Sequence, residues 1–122
     1  MAYNEFLSDR IHQILYEKKV NFYTKKMMGG LCFMVDDKMC FGIHYNKKRE
    51  KDLLMARIGE IAYQTAIHKE GSHSMDFTGK PVKGYVFVSP EGFDLDMDLE
   101  YWIQLCLDFN PLAKSSKKRL YN

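Results

Sequence analysis

A chain of 122 residues forms one domain that buries roughly two thirds of its unfolded surface without metal or disulfide staples. Its 46% apolar and 28% charged residues are those of an ordinary globular domain, and no apolar run approaches the roughly 20 residues of a membrane span. The net charge of +2 comes from the tail: Ala113 to Asn122 holds Lys114, Lys117, Lys118 and Arg119 and no acid, and removing those four cations leaves the body at −2. That balance argues against a nucleic-acid binder, which carries a basic patch on its folded surface.

The opening residues, Met1-Ala2-Tyr3-Asn4-Glu5, lack the basic and then apolar pattern of a secretory signal, so the expected location is cytoplasmic. There Cys32, Cys40 and Cys106 stay reduced; an odd count with no C-x-x-C pair and no zinc spacing predicts structural thiols. Asn4 is the expected cap of a first helix to about Lys18, with Leu7, Ile11, Ile14, Leu15 and Lys18 on one stripe and Tyr3 as a staple. His12 on that helix reads as a satisfied, partly exposed histidine. Val20 to Met28, rich in aromatic and β-branched residues, is expected to be extended and to feed a hairpin.

That hairpin is the strongest local signal. Leu31, Phe33 and Val35 alternate with Cys32 and Met34, and Met39, Phe41 and Ile43 alternate with Cys40, Gly42 and His44. Keeping the odd-numbered apolar residues on one face demands an odd loop, Asp36-Asp37-Lys38, which sets Val35 against Met39 and Phe33 against Phe41. The same register puts Cys32 and Cys40 on one face, offset diagonally. Gly29-Gly30 marks a turn or bulge. Asn46 to Asp52 reads as a seven-residue solvated loop, followed by a strand from Leu53 to Ile58 and a helix from Gly59 with Ile61, Ala62, Thr65 and Ala66 on one side, ended by Gly71. Thr78-Gly79 and Lys80-Pro81 interrupt two apolar stretches, so that point is an edge or a loop; Tyr85 to Val88 is a strand. Asp94 or Asp96 is the expected cap of a last helix that buries Leu99, Trp102, Ile103 and Cys106 and stops at Pro111. The expected fold is α+β with two layers, an antiparallel sheet of five to six strands with helices on one face. Residues 1–111 form the domain and 112–122 a basic flexible tail.

No constellation carries catalytic or metal chemistry. Asp94-x-Asp96-x-Asp98 fails as a calcium loop, because Leu99 and Leu105 stand where glycine and a bidentate glutamate are needed. His68 and His73 straddle a turn five residues apart, and nothing gathers them with His44 around a metal. Cys40 and His44 are roughly 13 Å apart along a strand, too far to form a nucleophile pair. There is no Walker loop and no G-x-G-x-x-G. These observations predict no enzymatic activity and no cofactor.

Lys25-Lys26-Met27-Met28-Gly29-Gly30-Leu31 ahead of a hairpin, and then Met75-x-Phe77-x-Gly79-Lys80-Pro81-Val82-Lys83-Gly84-Tyr85-Val86, resemble the TfoX/Sxy N-terminal domain family. The resemblance runs from the first helix to about Phe109. The family usually has Met-Phe-Gly-Gly and Gly-Arg-Pro-Met at Met27-Met28-Gly29-Gly30 and Gly79-Lys80-Pro81-Val82. It implies a fold like that of type III secretion chaperones and no recognised enzymatic activity. Full-length relatives regulate DNA-uptake competence with transcription factors and carry a C-terminal domain for which a chain of this length has no room. The implied function is a regulatory protein-interaction module, with a small enzyme or ligand binder as the alternative. The implied partner is another protein, with the transcription machinery as one candidate and a homodimer as a further option. Weak nucleic-acid contact through the basic loop and tail is a further alternative, and no membrane partner is expected. The motif residues Lys25, Lys26, Gly29, Gly30, Gly79, Lys80, Pro81, Lys83 and Gly84 mark the expected interaction surface, where lysines flank two glycine turns.

Overall fold

In a computed structural model, which describes residues 3–27, 29–77 and 80–114, six antiparallel strands and three helices form two layers. The chain runs α1 (Glu5–Glu17), β1 (Tyr23–Met27), β2 (Gly30–Val35), β3 (Lys38–Asn46), β4 (Lys51–Arg57), α2 (Gly59–Ala66), β5 (Ser72–Phe77), β6 (Lys80–Val88) and α3 (Asp96–Phe109). The strands stand in the order β1-β2-β3-β4-β6-β5. No helix among the described residues is long and apolar enough to cross a membrane.

Asn4 caps α1 as expected: its Oδ1 accepts from the Leu7 N–H at 3.0 Å, and its Nδ2 donates to Asp52 Oδ2 at 3.0 Å, which ties the helix start to β4. Leu7, Ile11 and Leu15 are buried, and the His12 ring donates to the Ser8 carbonyl at 2.8 Å. In α3 the stripe Leu99, Trp102, Ile103 and Cys106 is buried throughout, and the Trp102 indole N–H donates to the Gly92 carbonyl at 3.1 Å. That one side chain removes about 150–250 Å² from water, worth about 4–6 kcal/mol. All three helices pack on one face of the sheet, around Leu31, Phe33, Phe41, Ile43, Leu54, Ala56, Val86 and Val88.

Several local expectations are corrected. The β2–β3 turn has two residues, Asp36 and Asp37, both with positive φ (55° and 60°), which is the twist-matched turn of tight hairpins. It sets Val35 against Lys38 and Met34 against Met39. A bulge at Cys40 then shifts the register, so that Phe33 does face Phe41, their rings stacked at 4.8 Å. Cys40 therefore joins the helix-side core, while Cys32 lies on the opposite face. The charged loop is shorter than expected, because Asn46 pairs with Lys51 and Tyr45 with Asp52 in the ladder. Ala62 and Ala66 of α2 pack as expected, but Ile61 is 90% exposed and Thr65 is exposed, and Tyr63 packs in their place. Neither Asp94 nor Asp96 caps α3, whose N-cap is Leu95. Asp96 instead pairs with Arg10 at 3.0 Å, and the same guanidinium donates to the carbonyls of Phe93 and Asp94.

The junction of β4, α2 and α3 turns on Gly59. Its φ is +85°, and a Cβ there would lie 2.5 Å from the Phe109 ring. Gly59→Ala combines a left-handed penalty of about 1–2 kcal/mol with displacement of that ring, so urea denaturation is expected to show a loss of about 2–4 kcal/mol. Ile61→Ala on the exposed side of the same helix is expected to stay within about 0.5 kcal/mol of the parent.

Candidate functional site

Strand parity gives the sheet a second face that no helix among the described residues covers. Pairing Met27 with Gly30, Cys32 with Gly42, His44 with Leu53 and Met55 with Phe87 puts these residues together on it. Five of the eight methionines belong here: Met27, Met34, Met39, Met55 and Met75. Leu53 is fully buried although it lies outside the helix-side core. The face is thus a second apolar surface and not a solvated one.

Its centre is a hollow of about 310 Å³ lined by residues from all six strands, among them Met27, Cys32, Met39, His44, Met55, Met75 and Phe87. Because Met27 on one edge strand and Met75 on the other both reach it, the sheet curls around the hollow. Gly30 forms part of the floor for a steric reason, since a Cβ there would sit 2.6 Å from the Ile43 carbonyl oxygen. His44 meets Phe87 edge-on, with ring centroids 5.7 Å apart. By strand parity Lys25 and Lys51 are the lysines of this face in β1 to β4, while Arg57 at the end of β4 reaches the Phe109 ring and the Lys114 carbonyl.

Burial sets the protonation of the polar groups. It lowers the His44 pKa against an opposing pull from Asp52, and it lowers that of His73, helped by Arg49 and Lys51 and opposed by Glu91. Burial raises the Cys32 thiol, with Lys25 opposing. On the helix side it pushes Cys40 up to about 12 and Cys106 well above its ordinary value. All three cysteines are free. Among the described residues no group of three or more His, Cys, Asp or Glu could hold a metal.

The motif residues do not meet in one place. Lys25 and Lys26 are exposed on opposite faces of β1, and Gly29 (φ +78°) turns the chain into Gly30. This turn lies at the end of the sheet shared with the 47–50 loop. The second motif lies at the other end and beyond β4, where Lys80 and Pro81 pair with Phe77 and Asp76. Pro81 precedes the stretch of β6 that pairs with β4, so its missing N–H costs no bond on that side. Gly79 lies outside the described residues. Lys83 is exposed, and Gly84 (φ +94°) is buried against Gly59; both line a second hollow of about 650 Å³ with Arg57, Ile61 and Phe109. The sequence reading missed the helix-free face. Its signal was the near-continuous apolar character of Leu31–Val35 and Leu53–Ala56, which marks strands buried on both sides.

Fold and face together define a two-layer antiparallel α+β domain whose uncovered sheet surface is apolar. Residues 15–110 match the model of the TfoX N-terminal domain, and the chain belongs to that family. No curated protein matches it.

Two outcomes follow from burial and charge. A maleimide is expected to modify Cys32, which is 9% exposed, well before Cys40 and Cys106, which are 1% exposed; equal rates in the native protein, read by mass spectrometry, would contradict this placement. Because His44 and His73 titrate lower when folded, the unfolded chain takes up protons first as the pH drops below about 6.5, and stability falls with it. Melting temperature is expected to decline from pH 7 to 5, and less steeply in a His44→Gln, His73→Gln variant.

Proposed function

We propose that this chain is a regulatory protein-interaction module without enzymatic activity, and that it presents the helix-free face of its sheet to a partner protein in the cytoplasm. The observation that carries this reading is the methionine-lined hollow, apolar and shared by all six strands, with Lys25 and Lys51 on the same face of β1 and β4. Methionine adapts its three rotatable bonds to different partners, and uncovered apolar patches bordered by polar residues mark protein-binding surfaces. The charge balance selects a partner segment with an apolar anchor and acidic flanks. What supports a non-enzymatic reading is that burial holds all three thiols protonated, the opposite of what a nucleophile needs. Kinship to the competence regulators directs the search for the partner to transcription factors.

The test is affinity capture from a bacterial lysate with the parent, with Met55→Asp and with the double variant Lys25→Ala, Lys51→Ala. Surface lysines contribute little to folding, so the double variant is expected to keep its stability within about 1 kcal/mol while capturing less of an acidic partner. Met55→Asp, shown to be folded by circular dichroism, is expected to lose the partner altogether. Recovery of the same proteins at the same yield by the Met55→Asp variant would remove this face from the binding surface.

A further inference from the structure

The two edges of the sheet are not equivalent. β5 is broken by a register shift between Ser74 and Asp76, and such a bulge twists an edge away from further pairing. β1 is regular, pairs with β2 through all five residues and is exposed along its whole length. Met27 and Gly30 close a two-residue connection, so that pair, and with it Lys25 and Tyr23, bonds inward to β2. Thr24 and Lys26 therefore turn their N–H and C=O groups to solvent.

We propose that the outer edge of β1 receives an extended acidic segment of a partner protein as a seventh strand; this rests on the interaction-module reading and names its mode of recognition. Charge chooses the occupant. A second copy of the chain is disfavoured, because two-fold antiparallel pairings of β1 centred on Lys25, on Lys26 or between them set lysine against lysine. Lys25 points to the helix-free face and Lys26 to the helix side, so an added strand meets one cation on each of its faces. Two adjacent acids satisfy both. The next residue, opposite Met27, projects on the helix-free face beside the hollow that Met27 lines, and an apolar side chain fits there. The recognised signature is apolar–acid–acid in an otherwise β-forming stretch. The two lysines then have a double use: they keep identical edges apart and select an acidic one.

The probe is a blocked octapeptide, threonine-valine-threonine-valine-aspartate-glutamate-valine-threonine, titrated against the full chain. Binding is expected to slow amide exchange at Thr24 and Lys26 at least tenfold, and to weaken at least tenfold in a Lys25→Glu, Lys26→Glu variant. A peptide with lysines in place of the two acids is expected to recover affinity for that variant. No detectable binding, or binding that leaves the Thr24 and Lys26 exchange rates unchanged, overturns strand addition. If lysate capture by the parent still depends on Met55 in that case, the interaction-module reading stands and only its mode changes. Loss of the Met55 dependence would instead remove the reading itself.

Discussion

A two-residue turn at Asp36 and Asp37 and a direct Phe33–Phe41 pair are incompatible in a regular ladder, and the single extra residue at Cys40 reconciles them. Without the bulge, Phe41 and Ile43 would face away from the helices together with Cys32 and Met34. Turning two large apolar side chains out of the core forfeits about 3–6 kcal/mol, whereas a bulge gives up about one ladder hydrogen bond, near 1 kcal/mol. The bulge therefore wins. It also decides the rest of the molecule: it fixes which residues of β3, and through the ladder of β4 and β6, meet α1 and α3, and it sends Cys40 inward to join Cys106.

Once that assignment is made, the sheet has two apolar faces and only enough helix for one. Phe33, Phe41, Ile43, Leu54, Val86 and Val88 are covered; Cys32, Met34, Met55, Met75 and Phe87 are not covered by any helix. The sheet lessens the exposure by curling, which brings side chains of both edge strands to one hollow. Methionine suits such a surface better than a β-branched residue. Its flexible thioether packs against itself when the face is empty and repacks around an anchor when it is filled.

The helices were legible because their evidence is local. Asn4 and the spacing of Leu7, Ile11 and Leu15, or of Leu99, Trp102, Ile103 and Cys106, state both the element and its buried side. The sheet was legible as strands but not as faces. Strict alternation made a three-residue loop at Asp36 the economical reading, since no pattern in the sequence announces that Asp37 accepts positive φ or that Cys40 is the surplus residue. The Asp94 and Asp96 caps failed for a tertiary reason: Arg10 lies 86 residues earlier in the chain and draws Asp96 into an ion pair. Ile61 is apolar and lies in a helix, yet α2 spans only eight residues and presents a different side to β6. The candidate face escaped the sequence reading because alternate residues were assigned to core and solvent, whereas both sets are apolar.

Steric geometry alone accounts for two glycines of the family signature, one of which, Gly30, also lines the candidate hollow. Gly30 is held by the approach of the Ile43 carbonyl, which leaves no room for a Cβ. Gly84 combines a φ of +94° with contact against Gly59, and its carbonyl accepts the Ile58 N–H at 2.8 Å, so it joins β6 to the start of α2. Each glycine is fixed by backbone proximity at a different corner of the sheet, and neither needs a ligand to explain it. Kinship carried by such positions is kinship of fold. Of the residues proposed to meet a partner, Met55 and Phe87 have no such backbone contact to fix them. A methionine on an uncovered face exchanges for another apolar side chain at a cost below about 1.5 kcal/mol. A domain built in this way keeps its architecture while the proposed binding face is free to change.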